Sequence, residues 1–446
     1  MSEVHVVLPD GTQVLAGTLD FDLTPAGTLA ATRFTYSAEY LTATGAYALC
    51  PELPMTPRPM TSVRLFGCFQ DAQPDSWGRH LLQIATRHRG GNVTTMTEES
   101  FLLDVHDETR LGALRFRERG AFQAPAEDGV PTLVSIDRLV AAAQSTTRGT
   151  DDAEGMALLL AAGSSMGGAR PKATVRDADG TLHVAKFPAL DDRWDVQRWE
   201  RITLRLAAAA GISVPESRFI ARGASHGVLL LRRFDRVPHV GSAADNHGGS
   251  TGSRAPGLVR VGYMSAATLL QHEFGGGYKP DYVSLSEDLQ ALSHAPEADA
   301  HELFRRVAFT LLVRNTDDHM RNHALLRGSA VGTQVGRALG WRLSPAFDIN
   351  PQPLAGIPMA PTPIDFDDAD GPERDIRRLL KNAASFRLTQ DDATVIVREV
   401  EEATSRWTQV ALREGANPDE FEFFAKAFEN PNRERARSFN ASHRAQ

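Results

Sequence analysis

Residues 314–326, RNTDDHMRNHALL, set Asp317 five positions ahead of Asn322, directly after an apolar helical run. Downstream, LSPAFDINP adds Asp348; upstream, HVAKFP interrupts an apolar strand with Lys186. Phosphoryl transfer asks for these residue types. It needs a carboxylate to orient the attacking hydroxyl and accept its proton, and a cation for phosphate oxygens. It also needs hard oxygen ligands for Mg²⁺, which keeps several waters and takes few protein groups. Asp317 suits the first role, Lys186 the second, and Asn322 and Asp348 the third.

Each assignment has a plainer competitor. The Asp317–Asn322 spacing is that between base and metal-binding asparagine in the kinase catalytic loop H-R-D-L-x-x-x-N. Asp348 falls where a kinase has the aspartate of D-F-G, although here Phe347 precedes it and the glycine is missing; the alternative is an Asx-turn before Pro351. For Lys186 the alternative is a strand lysine facing water, but its aliphatic neighbours point to a half-buried setting that calls for a counter-charge or a phosphate. Glu200, on the helix that follows, is the candidate partner, and Asp195 competes with it. In GSSMGGARPK, residues 163–172, Gly163, Gly167 and Gly168 allow backbone N–H groups close to an anion, and Arg170 and Lys172 add positive charge. The segment fits neither G-x-x-x-x-G-K-[ST] nor G-x-G-x-x-G, so a simple surface loop competes with a phosphate cradle. His319 has no second His or Cys at ligand spacing and is expected to brace the loop beneath Asp317. Asp318 and Arg321 are expected to face solvent or the incoming substrate, with no catalytic role.

The elements that must hold these groups follow from patterning. VHVVLPDGTQVLAGTLDF alternates around Asp10-Gly11 and predicts a β-hairpin; KATVRDADGTLHVAKFP does the same around Asp179-Gly180. From about 157 to 235 the order reads strand, glycine-rich turn, strand, helix, strand. The helix WDVQRWERITLRLAAAAGI stops at Gly211, and GVLLLRRFDRV forms a buried strand. HELFRRVAFTLLV places Leu303, Val307 and Leu311 on one stripe, so a packed helix delivers the chain to Asn315. TVIVREVEEATSRWTQVALREG is read as a further helical pattern. The expected class is α+β, a bilobal protein-kinase-like fold with a β-rich N-terminal region and a mainly helical C-terminal lobe. Its parts are residues 1–145, an α+β N-terminal region; 146–237, carrying the glycine-rich loop and Lys186; 238–258, an insertion rich in Gly, Ser and Asn that is expected to be mobile; and 259–446, helical.

With 446 residues the chain has room for about two or three domains. Cys50 and Cys68, its only cysteines, sit among apolar residues, which excludes a disulfide framework and a Cys-based zinc site. The formal charge of −8 repels a phosphate backbone, so nucleic-acid contact is expected through a partner or a local patch. No apolar run approaches the ~20 residues needed to cross a bilayer, and MSEVHVVLPDG lacks the plan of a signal peptide, so a cytoplasmic location is expected.

The segments SSMGGARPK, AKFP, LRRFDR, NTDDHMRN and LSPAFD, in this order, resemble the HipA family of serine/threonine protein kinases, toxins of bacterial toxin–antitoxin pairs. FTYSAEYL and FGCFQDAQPDSWGRHLL resemble that family's N-terminal domain, so the resemblance covers essentially the whole chain. It implies an ATP- and Mg²⁺-dependent kinase with Asp317 as base, Asn322 and Asp348 as Mg²⁺ ligands, and Lys186 on the ATP phosphates. Ser164, Ser165, Gly167 and Gly168 would line the nucleotide loop. LLLRRFDR would be the hinge, with backbone near Arg232 and Phe234 meeting the adenine, although the family usually has an acidic residue at the position of Arg232. Ser165, with Ser164 as its competitor, would be the autophosphorylated serine. A phosphate there brings roughly −1.5 to −2 charges into a loop that must hold ATP phosphates. The implied partner is a HipB-like helix-turn-helix antitoxin dimer that binds operator DNA, and the implied substrate class is the aminoacyl-tRNA synthetases, notably glutamyl-tRNA synthetase. Two readings compete: a small-molecule phosphotransferase, which the N-terminal resemblance disfavours, and a catalytically degenerate kinase-fold subunit of a transcriptional repressor complex.

Overall fold

Alternation on either side of Asp10-Gly11 produces strands β1 (Ser2–Val7) and β2 (Gln13–Leu23), paired antiparallel in the computed structural model. Gly11 takes φ +88°, the left-handed conformation such a turn needs. The Leu8 N–H donates to the Thr12 carbonyl at 2.8 Å, and the Thr12 N–H to Asp10 Oδ1 at 2.8 Å. β3 (Leu29–Tyr36), β4 (Met60–Ser62) and β5 (Leu114–Arg117) complete a five-stranded sheet of order β4-β3-β2-β1-β5. Val4, Val6, Leu19, Phe34 and Phe116 are buried on it. Phe69 sets its ring edge against Phe34 at 5.4 Å and Phe116 at 5.8 Å, the geometry aromatic quadrupoles favour.

The structure describes residues 1–118, 120, 122–123, 129–150, 152–165, 167–223, 225–238, 258–271, 279–327, 340–354, 362–365 and 374–444. The stretch 239–257, expected to be a mobile insertion, lies outside them. Two compact units divide the chain. The first comprises Met1–Leu190, Leu230–Met264 and Leu326–Leu339; the second comprises Asp191–Leu229, Ser265–Leu325 and Gly340–Gln446.

In the first unit one expectation fails. The run before the glycine-rich segment, expected to be a strand, is the helix Ala153–Gly163, capped by Asp152, whose carboxylate accepts the Gly155 N–H at 2.6 Å. A short apolar run buried on most sides carries no period that separates strand from helix; here the cap and the alanines decide. This helix packs on two others, Ser76–His88 and Ile136–Arg148. The second predicted hairpin forms as expected, with β6 (Lys172–Arg176) antiparallel to β7 (Leu182–Lys186) and Gly180 at φ +89°. Cys50 and Cys68 are buried free thiols.

The second unit is mainly helical. Its helix Val196–Ala209 is capped by Asp195 and ends before Gly211, at φ +80°, where the stop was expected. Trp199 stacks on Phe424 with ring centroids 3.5 Å apart and donates from Nε1 to Glu420 at 2.7 Å, so this helix is bound to the C-terminal helices. The pattern read as one helix from Thr394 is split into Gln390–Ser405 and Trp407–Arg413. The helix Pro296–Leu312 starts with proline at its first position and buries Leu303, Val307 and Leu311, the predicted stripe, together with Phe304 and Ala308. The α+β class is therefore as expected, with strands concentrated in the N-terminal part and helices in the C-terminal part. Among the described residues no helix is long and apolar enough to cross a membrane.

Candidate active site

The loop after Pro296–Leu312 is shaped by how that helix ends. The Asn315 N–H donates to the Thr310 carbonyl at 2.9 Å and the Arg314 N–H to Leu311 at 3.4 Å, a Schellman pair with Arg314 at φ +51°, where glycine is usual. Asn430 caps the same helix from outside, its Nδ2 donating to the carbonyls of Leu311 and Leu312 at 3.2 and 3.1 Å. The chain then passes Asp317, which is exposed, and enters a short 3-10 turn at Met320–Asn322. Asn322 Nδ2 donates to the Asp317 carbonyl at 2.9 Å, so the two residues singled out by spacing are joined in one turn. That bond leaves the amide oxygen as the end of Asn322 able to ligate a cation.

What fixes the loop is not what the sequence suggested. Asp318, expected to face outward, is buried, 2 % exposed, in a network of its own. His323 Nε2 donates to its Oδ1 at 3.0 Å, and Arg374 Nη1 to its Oδ2 at 2.6 Å; the Tyr282 hydroxyl also donates to Oδ2. The Asp318 carbonyl accepts the N–H and hydroxyl of Thr362 at 2.9 and 2.8 Å, and Arg374 Nη2 reaches the Asn315 carbonyl at 2.7 Å. Burial alone would raise the Asp318 pKa, but the His323 hydrogen bond and the Arg374 charge outweigh it and hold the carboxyl well below the usual range. Burial, reinforced by the Asp318 charge, pushes the Tyr282 phenol well above its ordinary value. His323 is thus a brace of the loop that the sequence reading did not single out. His319 is half-buried and contributes its carbonyl to the Asn322 N–H at 2.8 Å.

Asp348 lies in the same unit, half-buried, at φ +57°. Non-glycine residues in this region carry strain of order 1 kcal/mol, a conformation often kept where a side chain must be aimed. Nearby backbone is tied down, with the Ala346 N–H on the Ser213 carbonyl and the Ser344 N–H on Ala324, both at 2.8 Å. The donor chemistry of Asn322 and Asp348, one amide oxygen and one carboxylate, suits Mg²⁺. Among the described residues no group of three or more His, Cys, Asp or Glu could hold a metal alone, so these two residues would bind it together with phosphate oxygens and water.

The first unit carries the lysines and the glycine-rich segment. The hairpin register sets Lys172 directly opposite Lys186. Two cationic side chains therefore share one face of the strand pair. Lys172 is buried and Lys186 half-buried, as expected for the latter. Gly168 turns at φ +76°, the conformation that favours glycine, and a Cβ there would lie 2.8 Å from Lys172 Nζ. Ser164 ends the Ala153–Gly163 helix and is buried; Ser165 is buried and donates from Oγ to the Thr109 carbonyl at 2.8 Å. Gly167 is exposed.

Arg232 ends the strand Ser225–Arg232, and it and Phe234 are half-buried. The residues between and after them form a buried clasp that sequence reasoning missed. Asp235 accepts from Arg233, Arg236 and the Gly112 N–H at 2.7–2.9 Å, and Arg233 Nη1 also donates to Thr109 at 2.7 Å. Burial opposes the charge of Asp235, yet Arg233 and Arg236 hold its pKa well below the ordinary value. The signal available was the alternation of charge in RRFDR inside an apolar strand end. In the second unit, Asp195 accepts the N–H groups of Arg198 and Gly227, both at 3.2 Å, and so serves as a cap, while Glu200 is buried within its helix.

Residues 12–117 match the family described as the HipA N-terminal domain, and residues 164–407 the HipA-like C-terminal domain. No curated protein matches by sequence. Among solved structures, HipA of Shewanella oneidensis MR-1, in a complex with HipB and operator DNA, is similar at a TM-score of 0.63 and 16% identity, over 98% of this chain and 97% of that one. The proinflammatory kinase CtkA of Helicobacter pylori superposes more loosely, at a TM-score of 0.37 and 12% identity, over 60% of this chain and 95% of that one. The match at 164–407 alone spans more than half of the 446 residues and contains Ser164, Lys186, Asp317, Asn322 and Asp348, so by its sequence, and in agreement with its fold, this chain belongs to the HipA family.

Proposed function

We propose that this chain is an ATP- and Mg²⁺-dependent serine/threonine protein kinase and the growth-inhibiting toxin of a toxin–antitoxin pair. The observation that carries the reading is the Asp317–Asn322 turn: an exposed carboxylate held on a loop whose underside is a buried charge network. Asp317 orients a substrate hydroxyl and takes its proton as the oxygen bonds to the γ-phosphorus and the bond to the β–γ bridging oxygen breaks, releasing ADP. Asn322 and Asp348 would hold Mg²⁺, which when bound would neutralise charge on the phosphate oxygens. Lys186, with Lys172 opposite, binds the phosphates beside Gly167 and Gly168, and the backbone near Arg232 and Phe234 is the adenine hinge.

Regulation by autophosphorylation at Ser165 has a physical basis. Its hydroxyl now donates to the Thr109 carbonyl. A phosphoserine has no hydroxyl proton for that bond and adds acceptor oxygens next to an acceptor, so the modified loop cannot return to this position. The proposed partner is a HipB-like helix-turn-helix antitoxin in the cytoplasm, with operator DNA bound mainly through it, in keeping with the net charge of −8. The proposed substrate is a translation component of the aminoacyl-tRNA synthetase class.

The decisive experiment is transfer of labelled γ-phosphate, with phosphoproteomics of cells expressing wild type against Asp317→Asn. Loss of transfer in Asp317→Asn and in Asp348→Asn, with the fold retained, is expected; full activity in both overturns the reading. A degenerate subunit of a repressor complex would also show no stabilisation by ATP and Mg²⁺ in a thermal shift.

A further inference from the structure

Asp75 is the N-cap residue of the helix Ser76–His88, yet its side chain makes no hydrogen bond to that helix. An aspartate at this position normally accepts an N–H of its own first turn. Here its Oδ2 accepts the Gly168 N–H at 3.0 Å instead. The exchange is reciprocal: the Trp77 N–H, in the helix's first turn, donates to the Gly168 carbonyl at 3.1 Å. Trp77 Nε1 adds a bond to the Lys172 carbonyl at 2.9 Å. Gly168 is thus gripped at both its N–H and its C=O by one helix end, and a Cβ on Gly167 would stand 3.2 Å from Asp75 Oδ2. The grip belongs to the N-terminal family domain, residues 12–117, and the gripped loop to the C-terminal one, residues 164–407.

We infer that Asp75 is a positioning residue for the glycine-rich loop: its carboxylate, turned from its own helix to Gly168, holds the loop in the shape that receives nucleotide phosphates. The inference rests on the reading of residues 163–172 as the nucleotide loop. Because the carboxylate acts as a placed acceptor, an amide oxygen of the same reach serves as well. A serine can cap the helix but is too short to reach Gly168.

The test compares full-length wild type, Asp75→Ser and Asp75→Asn. Amide hydrogen exchange over residues 163–172 is measured without nucleotide, and KM for ATP and kcat are measured with Mg²⁺. Asp75→Ser is expected to speed exchange across the loop and raise KM by on the order of tenfold, with kcat within about twofold, as loss of one placed hydrogen bond implies. Asp75→Asn is expected to stay within about twofold of wild type in all three. Unchanged exchange in Asp75→Ser, an unchanged KM, or an Asp75→Asn variant as impaired as Asp75→Ser overturns the inference. If wild type neither binds nor turns over ATP, the kinase reading fails, and the exchange experiment still decides whether Asp75 holds the loop.

Discussion

Two loops that would have to work together are held by different physics. Under residues 315–323 lies a buried charge network in which Asp318, 2 % exposed, is matched by Arg374, His323 and Tyr282. The ties on residues 163–172 include individual hydrogen bonds: Gly168 to Asp75 and Trp77, and Ser165 to a backbone carbonyl. Breaking a buried network by one member strands a charge, whereas loss of the Ser165 bond strands none and leaves a carbonyl that Arg233 still serves. On the proposed reading, a turn that presents a base would gain from rigidity, and a loop that admits a nucleotide and exposes a serine would gain from ties that break without stranding a charge.

The contrast is broken most severely at Asp318. Asp318→Ala is expected to destabilise the second unit by about 3–5 kcal/mol, read as a lowered midpoint in chemical denaturation, because Arg374 is left buried without its carboxylate. The same residue gives an acid dependence. Burial opposes its charge, but His323 and Arg374 hold its folded pKa below the ordinary value, so its contribution is complete above about pH 4 and is lost as pH falls further. Wild type should therefore lose stability on that acid limb more steeply than Asp318→Ala; parallel limbs would remove the network from the account.

Asp317→Asn separates chemistry from scaffold in the same loop. Phosphate transfer should fall by about 10²–10⁴-fold with the melting temperature unchanged, since the side chain is exposed. At the glycine-rich loop the effects should be smaller. Ser165→Ala loses one hydrogen bond to a carbonyl that Arg233 also serves, so a stability change of about 1 kcal/mol or less is expected, together with loss of any phosphopeptide from this loop. A change as large as that of Asp318→Ala would erase the distinction between the loops. Smallest of all, Arg314→Gly relieves a left-handed arginine but gives up its bond to the Gln352 carbonyl, for a net gain of about 0.5 kcal/mol in thermal unfolding.

Much was legible before any tertiary contact was known. Alternation plus Asp-Gly predicts both hairpins, but the register that opposes Lys172 to Lys186 is set by the turn the structure adopts and not by counting from Asp179-Gly180. The 3.6-residue stripe gives the helix that delivers Asn315, and spacing picks out Asp317 and Asn322. Less was legible where period carries no information. The apolar run 153–163 reads equally as strand or helix, and adjacent loop aspartates look alike although Asp317 is exposed and Asp318 buried.

The amino-acid sequence by itself determines the family, the α+β class and the residue types available for phosphoryl transfer, because local periodicity, turn chemistry and short-range spacing are properties of neighbours in the chain. Only the tertiary structure decides which of those residues act and which support. Asp318 meets Tyr282 and Arg374 across 36 and 56 residues, and Asp75 meets Gly168 across 93. Such partners are chosen by packing, which sets who is desolvated beside whom, and no local pattern encodes that choice.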